Sequence, residues 1–162
     1  MTELKIYLDK DIDLDLIKSK KIAIIGFGSQ GYGQGMNLVD TGCNVVFGLR
    51  KNGQSWIKAK DYGLNVIAMF DNDTSKIGTM INGKEVFGLT KVANLSARLG
   101  VDIAILTVPK ECAETTANYL AGAGIKYIWN FTPCILDVPE HVKVWNENLV
   151  GSFLQFINSD EV

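Results

Sequence analysis

Short unbroken apolar runs, separated by helix-like segments, constrain the fold of this sequence more than any other feature. The runs occupy residues 21–25, 44–49, 65–70, 101–108 and 126–131, and a shorter one spans 141–145. Apolar runs without polar alternation are typical of strands that are covered on both faces, as in a parallel sheet. The pattern therefore predicts a parallel sheet whose successive strands are joined by helices.

Helix signals lie between the runs, and one turn signal interrupts them. Residues 29–40 form the first predicted helix, and Asn82 with Gly83 predicts a small hairpin between Thr79 and Phe87. The other predicted helices are bounded by capping residues and glycine or proline signals. The residues that start and end the three helices are Ser55 and Gly63, Thr90 and Gly100, and Pro109 and Gly122.

A glycine-rich loop follows the first predicted strand and opens the first predicted helix. In this position the first glycine permits a tight turn, the second lets the backbone approach a pyrophosphate, and the third lets helix and strand pack closely. The helix N-terminus would then offer N–H groups to the phosphates. The alternative is a glycine turn without a ligand. The candidate phosphate-binding residues are Gly26, Phe27, Gly28, Ser29, Gln30 and Gly31.

Cationic and hydroxyl residues follow the second predicted strand. Arg50, Lys51 and Ser55 would suit the 2′-phosphate of NADP(H), whereas an NAD(H) site usually has an acidic residue there. A solvated basic loop is the alternative. Asp71 closes the third apolar run, and it would occupy the acidic position of an NAD(H) site if that run were the second strand of the sheet.

Composition excludes several functional classes. The chain has 162 residues, with 16 Lys and Arg against 18 Asp and Glu, so no basic excess favours nucleic-acid binding. No apolar run approaches the roughly 18 residues of a membrane-spanning helix, and residues 1–16 lack the apolar core of a signal peptide. Cys43, Cys112 and Cys134 are widely spaced, which favours a reducing cytoplasm over a disulfide framework.

The first part of the chain, from Lys5 to about Ile67, resembles the N-terminal part of ketol-acid reductoisomerases. The resemblance rests on GFGSQG at residues 26–31, VVFGLR at 45–50 and the surrounding segments. Tyr32 stands where that family often has His. The resemblance implies binding of the NADP(H) pyrophosphate and 2′-phosphate. The residues that it assigns are Gly26, Gly28, Ser29, Gln30, Arg50 and Ser55.

From about Asn65 onward the chain resembles the C-terminal part of the redox-sensing repressor Rex. The resemblance rests on AMFDNDTSKIG at residues 68–78, VDIAILTVP at 101–109, YIWNFTP at 127–133 and NLVGSFLQFI at 148–157. It implies NAD(H) binding with Asp71 at the ribose. It also places two segments along the cofactor, the second near the nicotinamide. These are Thr107, Val108 and Pro109, and Phe131, Thr132 and Pro133.

The position of the third apolar run depends on which resemblance governs it. If residues 65–70 lie beside residues 44–49, Asp71 is displaced from the ribose and Arg50 would govern cofactor choice. If they keep the position implied by Rex, the first half of the chain must rearrange. The sequence leaves both arrangements open.

A broad apolar stripe at helical spacing ends the sequence. It predicts a C-terminal helix within residues 146–158, which either docks on its own sheet or is exchanged between the subunits of a homodimer. The exchange is implied by the resemblance to Rex. The stripe residues are Leu149, Val150, Phe153, Leu154 and Ile157.

Together these features predict an α/β fold that is Rossmann-like and doubly wound, with a mostly parallel sheet and helices on both faces. We expect one dinucleotide-binding domain across residues 1–162, with residues 1–20 as a lead-in. The expected ligand is NADP(H) first and NAD(H) second, without catalytic residues, bound metal, nucleic acid or membrane. The helical Mg²⁺-binding domain of reductoisomerases and the winged helix of Rex are not recognised in the sequence.

Two partial resemblances that join near residues 64 to 68 are most simply explained by a chimera, for which we favour an engineered origin. The alternatives are a reductoisomerase-like oxidoreductase fragment, a redox-sensing or dimerisation module, and a cofactor-free structural scaffold.

Overall fold

The fold consists of an eight-stranded sheet with five helices among the described residues of a computed structural model. Residues 13–50, 54–71, 74–81 and 83–147 are described, with the backbone alone for residues 50, 54–56 and 81. The elements are α1 (Leu14–Lys18), β1 (Lys21–Ile25), α2 (Ser29–Asp40), β2 (Asn44–Arg50), α3 (Gln54–Asp61), β3 (Val66–Asp71), β4 (Met80–Ile81), β5 (Lys84–Gly88), α4 (Lys91–Leu99), β6 (Ile103–Leu106), α5 (Lys110–Gly122), β7 (Tyr127–Asn130) and β8 (Lys143–Asn146).

The strand order is β4-β5-β3-β2-β1-β6-β7-β8, and every neighbouring pair is parallel except β4 with β5. The predicted Rossmann-like doubly wound sheet is therefore confirmed. The chain order reverses between β1 and β6, which makes this boundary the topological switch point where such folds bind ligands. β3 pairs with β2, so the arrangement in which the third apolar run lies beside the second is the one that forms.

Two apolar layers cover the sheet. On one face, residues of α4 and α5 pack on the alternate side chains of the sheet, including Ala23, Leu106 and Ile128. On the other face, α2 and α3 pack over β1 and β2, where Ile24 and Phe47 are fully buried. Helices therefore lie on both faces, as the unbroken apolar runs predict.

Some local predictions were wrong in detail. Ser55 lies inside α3, which begins at Gln54, so it is not the residue that caps this helix. Gly122 is the last residue of α5 rather than the residue after it. Asn146 ends β8, whereas a helix was expected to begin there. Glu147 is described and is not helical, and residues 148–158 of that predicted helix lie outside the described residues.

Other local predictions were confirmed or extended. The hairpin forms as β4 and β5, with Gly83 at a positive φ of 77°. β5 also pairs with β3 as a parallel strand, which the sequence analysis did not foresee. Within the predicted lead-in, Asp13 caps the short α1 by accepting a hydrogen bond from the backbone N–H of Asp15. None of the described helices has the length and apolar character needed to cross a bilayer.

Candidate functional site: the glycine loop and the cavity beside it

The glycine loop lies at the carboxyl edge of the sheet, directly after β1. Gly26 adopts a φ of 108°, which only glycine tolerates readily, and its N–H donates to the carbonyl of Gly48 on β2 at 2.9 Å. Gly28 then precedes the first residue of α2, Ser29. The chain thus turns from strand to helix within three residues, as the motif predicts.

Thr107, which follows β6, leaves no room for a side chain at two of the three glycines in the loop. A Cβ on Gly26 would lie 2.7 Å from the Thr107 carbonyl oxygen, and a Cβ on Gly31 would lie 2.6 Å from the Thr107 Oγ1. The Thr107 hydroxyl also donates to the carbonyl of Ile25 at 3.2 Å. Since side chains cannot approach this closely, glycine is required where β1, α2 and β6 meet.

Gly28 has the opposite environment. It is exposed, its φ is an ordinary −71°, and a Cβ there would meet nothing within 4 Å. In the described part of the chain no side chain caps α2, and its first turn carries no acidic residue. The N–H groups of that turn therefore face an open, uncrowded position at the positive end of the helix dipole, which suits a phosphate group.

A cavity of about 370 Å³ opens beside the glycine loop. Its volume falls within the range of small-molecule sites. Seven predicted site residues line it: Gly26, Phe27, Gly28, Asp71, Thr107, Val108 and Pro109. The loop after β1 and the loop after β6 thus converge on one cavity, although they are about 80 residues apart in sequence.

Sequence reasoning missed the other half of the cavity wall. These residues are Ile25, Gly48, Leu49, Phe70, Leu89, Cys112 and Thr116. Most of them lie at or just beyond the carboxyl ends of strands, a position that the strand predictions could have supplied. Cys112 and Thr116 lie four residues apart on α5 and therefore share one face of that helix. The helical spacing after Pro109 could have shown that both residues face the cavity.

Asp71 is the last residue of β3, and its side chain is only 1% exposed. An NAD(H) site usually places its acidic residue at the end of the second strand, which here is β2. Asp71 instead lies at the end of the neighbouring strand, β3. It nonetheless lines the same cavity as Gly26 and Gly28. The ammonium group of Lys76 lies 3.6 Å from its Oδ2.

The residues expected at a 2′-phosphate are described only in part. Arg50 ends β2 and Ser55 lies in the first turn of α3, and for both only the backbone is described. Lys51 lies outside the described residues. Their predicted role in cofactor choice therefore stays a prediction.

The loop after β7 forms a separate hydrogen-bonded structure on the same edge of the sheet. The Asn130 side chain is fully buried, and its Oδ1 accepts hydrogen bonds from the Thr132 N–H at 3.0 Å and hydroxyl at 2.6 Å. Its Nδ2 donates to the Cys134 carbonyl at 2.7 Å and to the Asn146 Oδ1 at 2.9 Å. Phe131, Thr132 and Pro133 are thereby held, but they do not line the cavity.

Tyr32 occupies the position where reductoisomerases often have His. A hydrogen bond with Tyr62 raises the pKa of Tyr32 above its ordinary value of 10.0, and desolvation adds to the rise. A phenol with such a pKa stays protonated near neutral pH, where a histidine would titrate. Tyr32 also packs edge-on against Phe27, with ring centroids 5.7 Å apart, so it supports the loop by packing.

Comparisons with known proteins match the two parts of the chain differently. A family model described as acetohydroxy acid isomeroreductase, NADPH-binding domain, matches residues 16–82. The ketol-acid reductoisomerase (NADP(+)) of Methanothermobacter thermautotrophicus is 52% identical over 68 residues, which are 42% of this chain and 21% of that protein. The chain thus spans about a fifth of the length of this curated relative.

Solved structures extend the similarity along the chain. RSP, a Rex-family repressor, has a TM-score of 0.56 and 31% identity over 91% of this chain and 62% of its own. Its complex with β-NADH has a TM-score of 0.54 and 31% identity, covering 88% of this chain and 61% of that one. Both predicted resemblances are confirmed. The chain therefore has the Rossmann-type fold of nicotinamide dinucleotide-binding proteins, with residues 16–82 similar to a reductoisomerase NADPH-binding domain and most of its length similar to a Rex-family repressor.

Proposed function

We propose that the chain binds a nicotinamide dinucleotide, with the pyrophosphate on the glycine loop and NADP(H) preferred over NAD(H). The observation that carries the proposal is the open position at Gly28, where the N-terminus of α2 faces the cavity at the topological switch point. When bound, such a cofactor supplies hydride chemistry. The described residues would bind and orient it.

The preference for NADP(H) is supported from two directions. Residues 16–82 match a family model whose description names NADPH, and the curated relative is named for NADP(+). Arg50 ends β2, the strand bonded to the glycine loop through Gly26. NAD(H) remains the second choice, because the RSP structure was solved in complex with β-NADH.

Calorimetric titration with NADPH and NADH at matched salt tests the proposal. Tighter binding of NADPH is the expected result, and tighter binding of NADH would overturn the preference. Binding of neither would overturn the cofactor assignment and support the alternative of a cofactor-free scaffold. An oxidoreductase fragment would in addition need a substrate site, and none of the described residues supplies an evident one.

Two glycine substitutions in the same region locate the ligand. Gly28→Glu adds a carboxylate beside the proposed phosphate position, and its Cβ would meet nothing within 4 Å, so we expect loss of at least about tenfold in affinity through charge repulsion. Gly33→Glu adds the same charge further along α2, where a Cβ also meets nothing within 4 Å, and is the matched control. Equal effects of the two substitutions would place the dinucleotide away from the glycine loop.

We further propose a chimeric origin, with a reductoisomerase-like first part and a Rex-like remainder, and we favour an engineered join. The family match to residue 82 and the similarity to RSP along most of the chain support two sources. The match passes the join expected near residues 64 to 68, so the two similarities overlap around β3.

A second candidate function is a dimerisation module. On the sheet face opposite α5, Trp145 is 69% exposed and Tyr127 is 48% exposed, while Trp129 and Trp145 both donate to the Glu147 Oε2 at 3.2 Å. Large aromatic side chains exposed together mark an interaction surface. The predicted apolar helix, whose stripe residues lie outside the described part, would cover this face in a homodimer.

Size-exclusion chromatography with light scattering over a concentration series tests the dimer. A dimer at high concentration that weakens with Trp145→Lys is expected. Ile135→Lys is the matched control, because Ile135 is 85% exposed but lies in the loop after β7. A monomer at every concentration would contradict the dimer.

A further inference from the structure

Two tyrosines meet on the sheet face that α2 and α3 cover. Tyr32 lies in the first turn of α2, and Tyr62 directly follows the last residue of α3. Their ring centroids are 5.2 Å apart, and the rings are tilted by 43°. The two phenols also share a hydrogen bond. The edges of the rings that carry the hydroxyl groups therefore face each other.

Tyr62 is the member of this pair that solvent reaches more easily. It is 51% exposed, whereas Tyr32 is half-buried and packs edge-on against Phe27. An oxidant in solution therefore reaches Tyr62 first. Because the phenols share a hydrogen bond, a hydrogen atom can then pass between the two hydroxyl groups.

Backbone hydrogen bonds hold both tyrosines in place. The Tyr32 N–H donates to the Gly28 carbonyl at 2.9 Å, and the Tyr62 N–H donates to the Lys58 carbonyl at 3.0 Å. The chain turns immediately afterwards at Gly63, whose φ is 66°. Two rings on fixed backbones keep their mutual position, so a reaction between them is favoured over a reaction between separate molecules.

We propose that Tyr32 and Tyr62 form an oxidative cross-linking site, at which a one-electron oxidant of the haem-peroxidase class joins the two rings by a carbon–carbon bond. Each phenol loses one hydrogen atom from its hydroxyl group and becomes a phenoxyl radical. The radicals couple between the ring carbons next to the oxygens, and the protons on those two carbons move to the oxygens, which restores both phenols. One molecule of hydrogen peroxide is reduced to two of water, and the protein loses two hydrogen atoms.

The geometry of the pair suits this coupling. The reacting carbons adjoin the hydroxyl groups, so the hydrogen bond already brings the reacting edges together. Two directly bonded phenol rings are twisted about their bond, because their neighbouring substituents collide when the rings are coplanar. A tilt of 43° is compatible with such a twist, so the rings can join with little movement of the backbone. The bond would close residues 32–62 into a covalent loop that contains β2 and α3.

Treatment of the protein with a haem peroxidase and hydrogen peroxide tests the inference. We expect dityrosine fluorescence from protein of monomer mass on a denaturing gel. Tryptic digestion should then yield a linked pair of peptides covering residues 22–50 and 61–76, lighter than their sum by two hydrogen atoms. Tyr62→Phe and Tyr32→Phe should each abolish the linked pair, because phenylalanine keeps the ring but has no hydroxyl group.

Tyr127→Phe is the matched control for exposure. Tyr127 is 48% exposed, close to the value for Tyr62, but it lies on β7. Its replacement should leave the yield of the linked peptides unchanged. Absence of these peptides from treated wild-type protein would overturn the inference. Tyrosines linked only at other positions, or only in covalent dimers, would overturn it as well.

Urea denaturation tests whether the rings join with little distortion. A covalent loop constrains the unfolded chain, as a disulfide does, so treatment should raise the urea midpoint of the wild-type protein. The midpoint of Tyr62→Phe should not rise on the same treatment. A wild-type midpoint that stays equal or falls on cross-linking would overturn the inference that the pair is positioned for coupling.

Discussion

The loops after β1 and after β7 lie on the same edge of the sheet, yet they are held in opposite ways. The first is held by the absence of side chains, because Gly26 and Gly31 let Thr107 reach the backbone. The second is held by one side chain, the fully buried Asn130, which makes four hydrogen bonds. The first loop is therefore sensitive to added volume, and the second to lost hydrogen bonds.

The largest expected effect comes from adding one methyl group to the first loop. In Gly31→Ala the new Cβ would lie 2.6 Å from the Thr107 Oγ1 and 2.7 Å from the Gly26 carbonyl oxygen. Because one of these atoms belongs to the backbone, we expect a loss of about 3 kcal/mol in the free energy of unfolding. Urea denaturation measures it. Adding Thr107→Ala should recover only part of the loss, and full recovery would contradict the role of the backbone contact.

An intermediate effect is expected in the second loop. Asn130→Ala leaves the Thr132 N–H and the Cys134 carbonyl without their side-chain partner, and we expect a loss of about 2 kcal/mol. Asn118→Ala is the matched control, since Asn118 also donates to two carbonyls but is exposed. Equal losses in the two variants would show that burial of the Asn130 network contributes nothing.

The smallest expected effect has the opposite sign. Gly33 lies inside α2, and a Cβ there would meet nothing within 4 Å. Gly33→Ala should therefore raise the free energy of unfolding by about 0.5–1 kcal/mol, because alanine favours the helix more than glycine does. The same denaturation experiment measures it. A loss would mean that α2 packs more tightly at Gly33 than the structure shows.

Much of the fold could be predicted because the local signals agreed with one another. The apolar run of β1, the glycine loop and the helix over Ser29–Asp40 all indicate the same strand–turn–helix unit. β5 was missed as a parallel strand because its burial is confined largely to Val86, and its turn signal indicated only the hairpin. Pairing with β3 is a tertiary contact that no local pattern records.

The candidate site was predictable where backbone geometry requires a residue type, and less so elsewhere. Gly26 and Gly31 could be identified because their glycine motif directly follows a predicted strand and opens a predicted helix. The role of Thr107 in requiring them could not be read from the sequence, since the contact depends on how β6 aligns with β1. Likewise, the pairing of Lys76 with Asp71 depends on the conformation of the turn after β3.

The contact of Thr107 with the glycine loop also limits how such chains can be recombined. Residues 16–82, which carry the similarity to the reductoisomerase domain, contain both glycines, whereas Thr107 lies in the remainder. A first half with a larger residue at position 31 would clash with Thr107 of this second half, even if its own strands form correctly. In a library of chains with exchanged halves, variants with a side chain at position 31 would therefore fail to fold stably, whether or not they retain the residues that bind a cofactor.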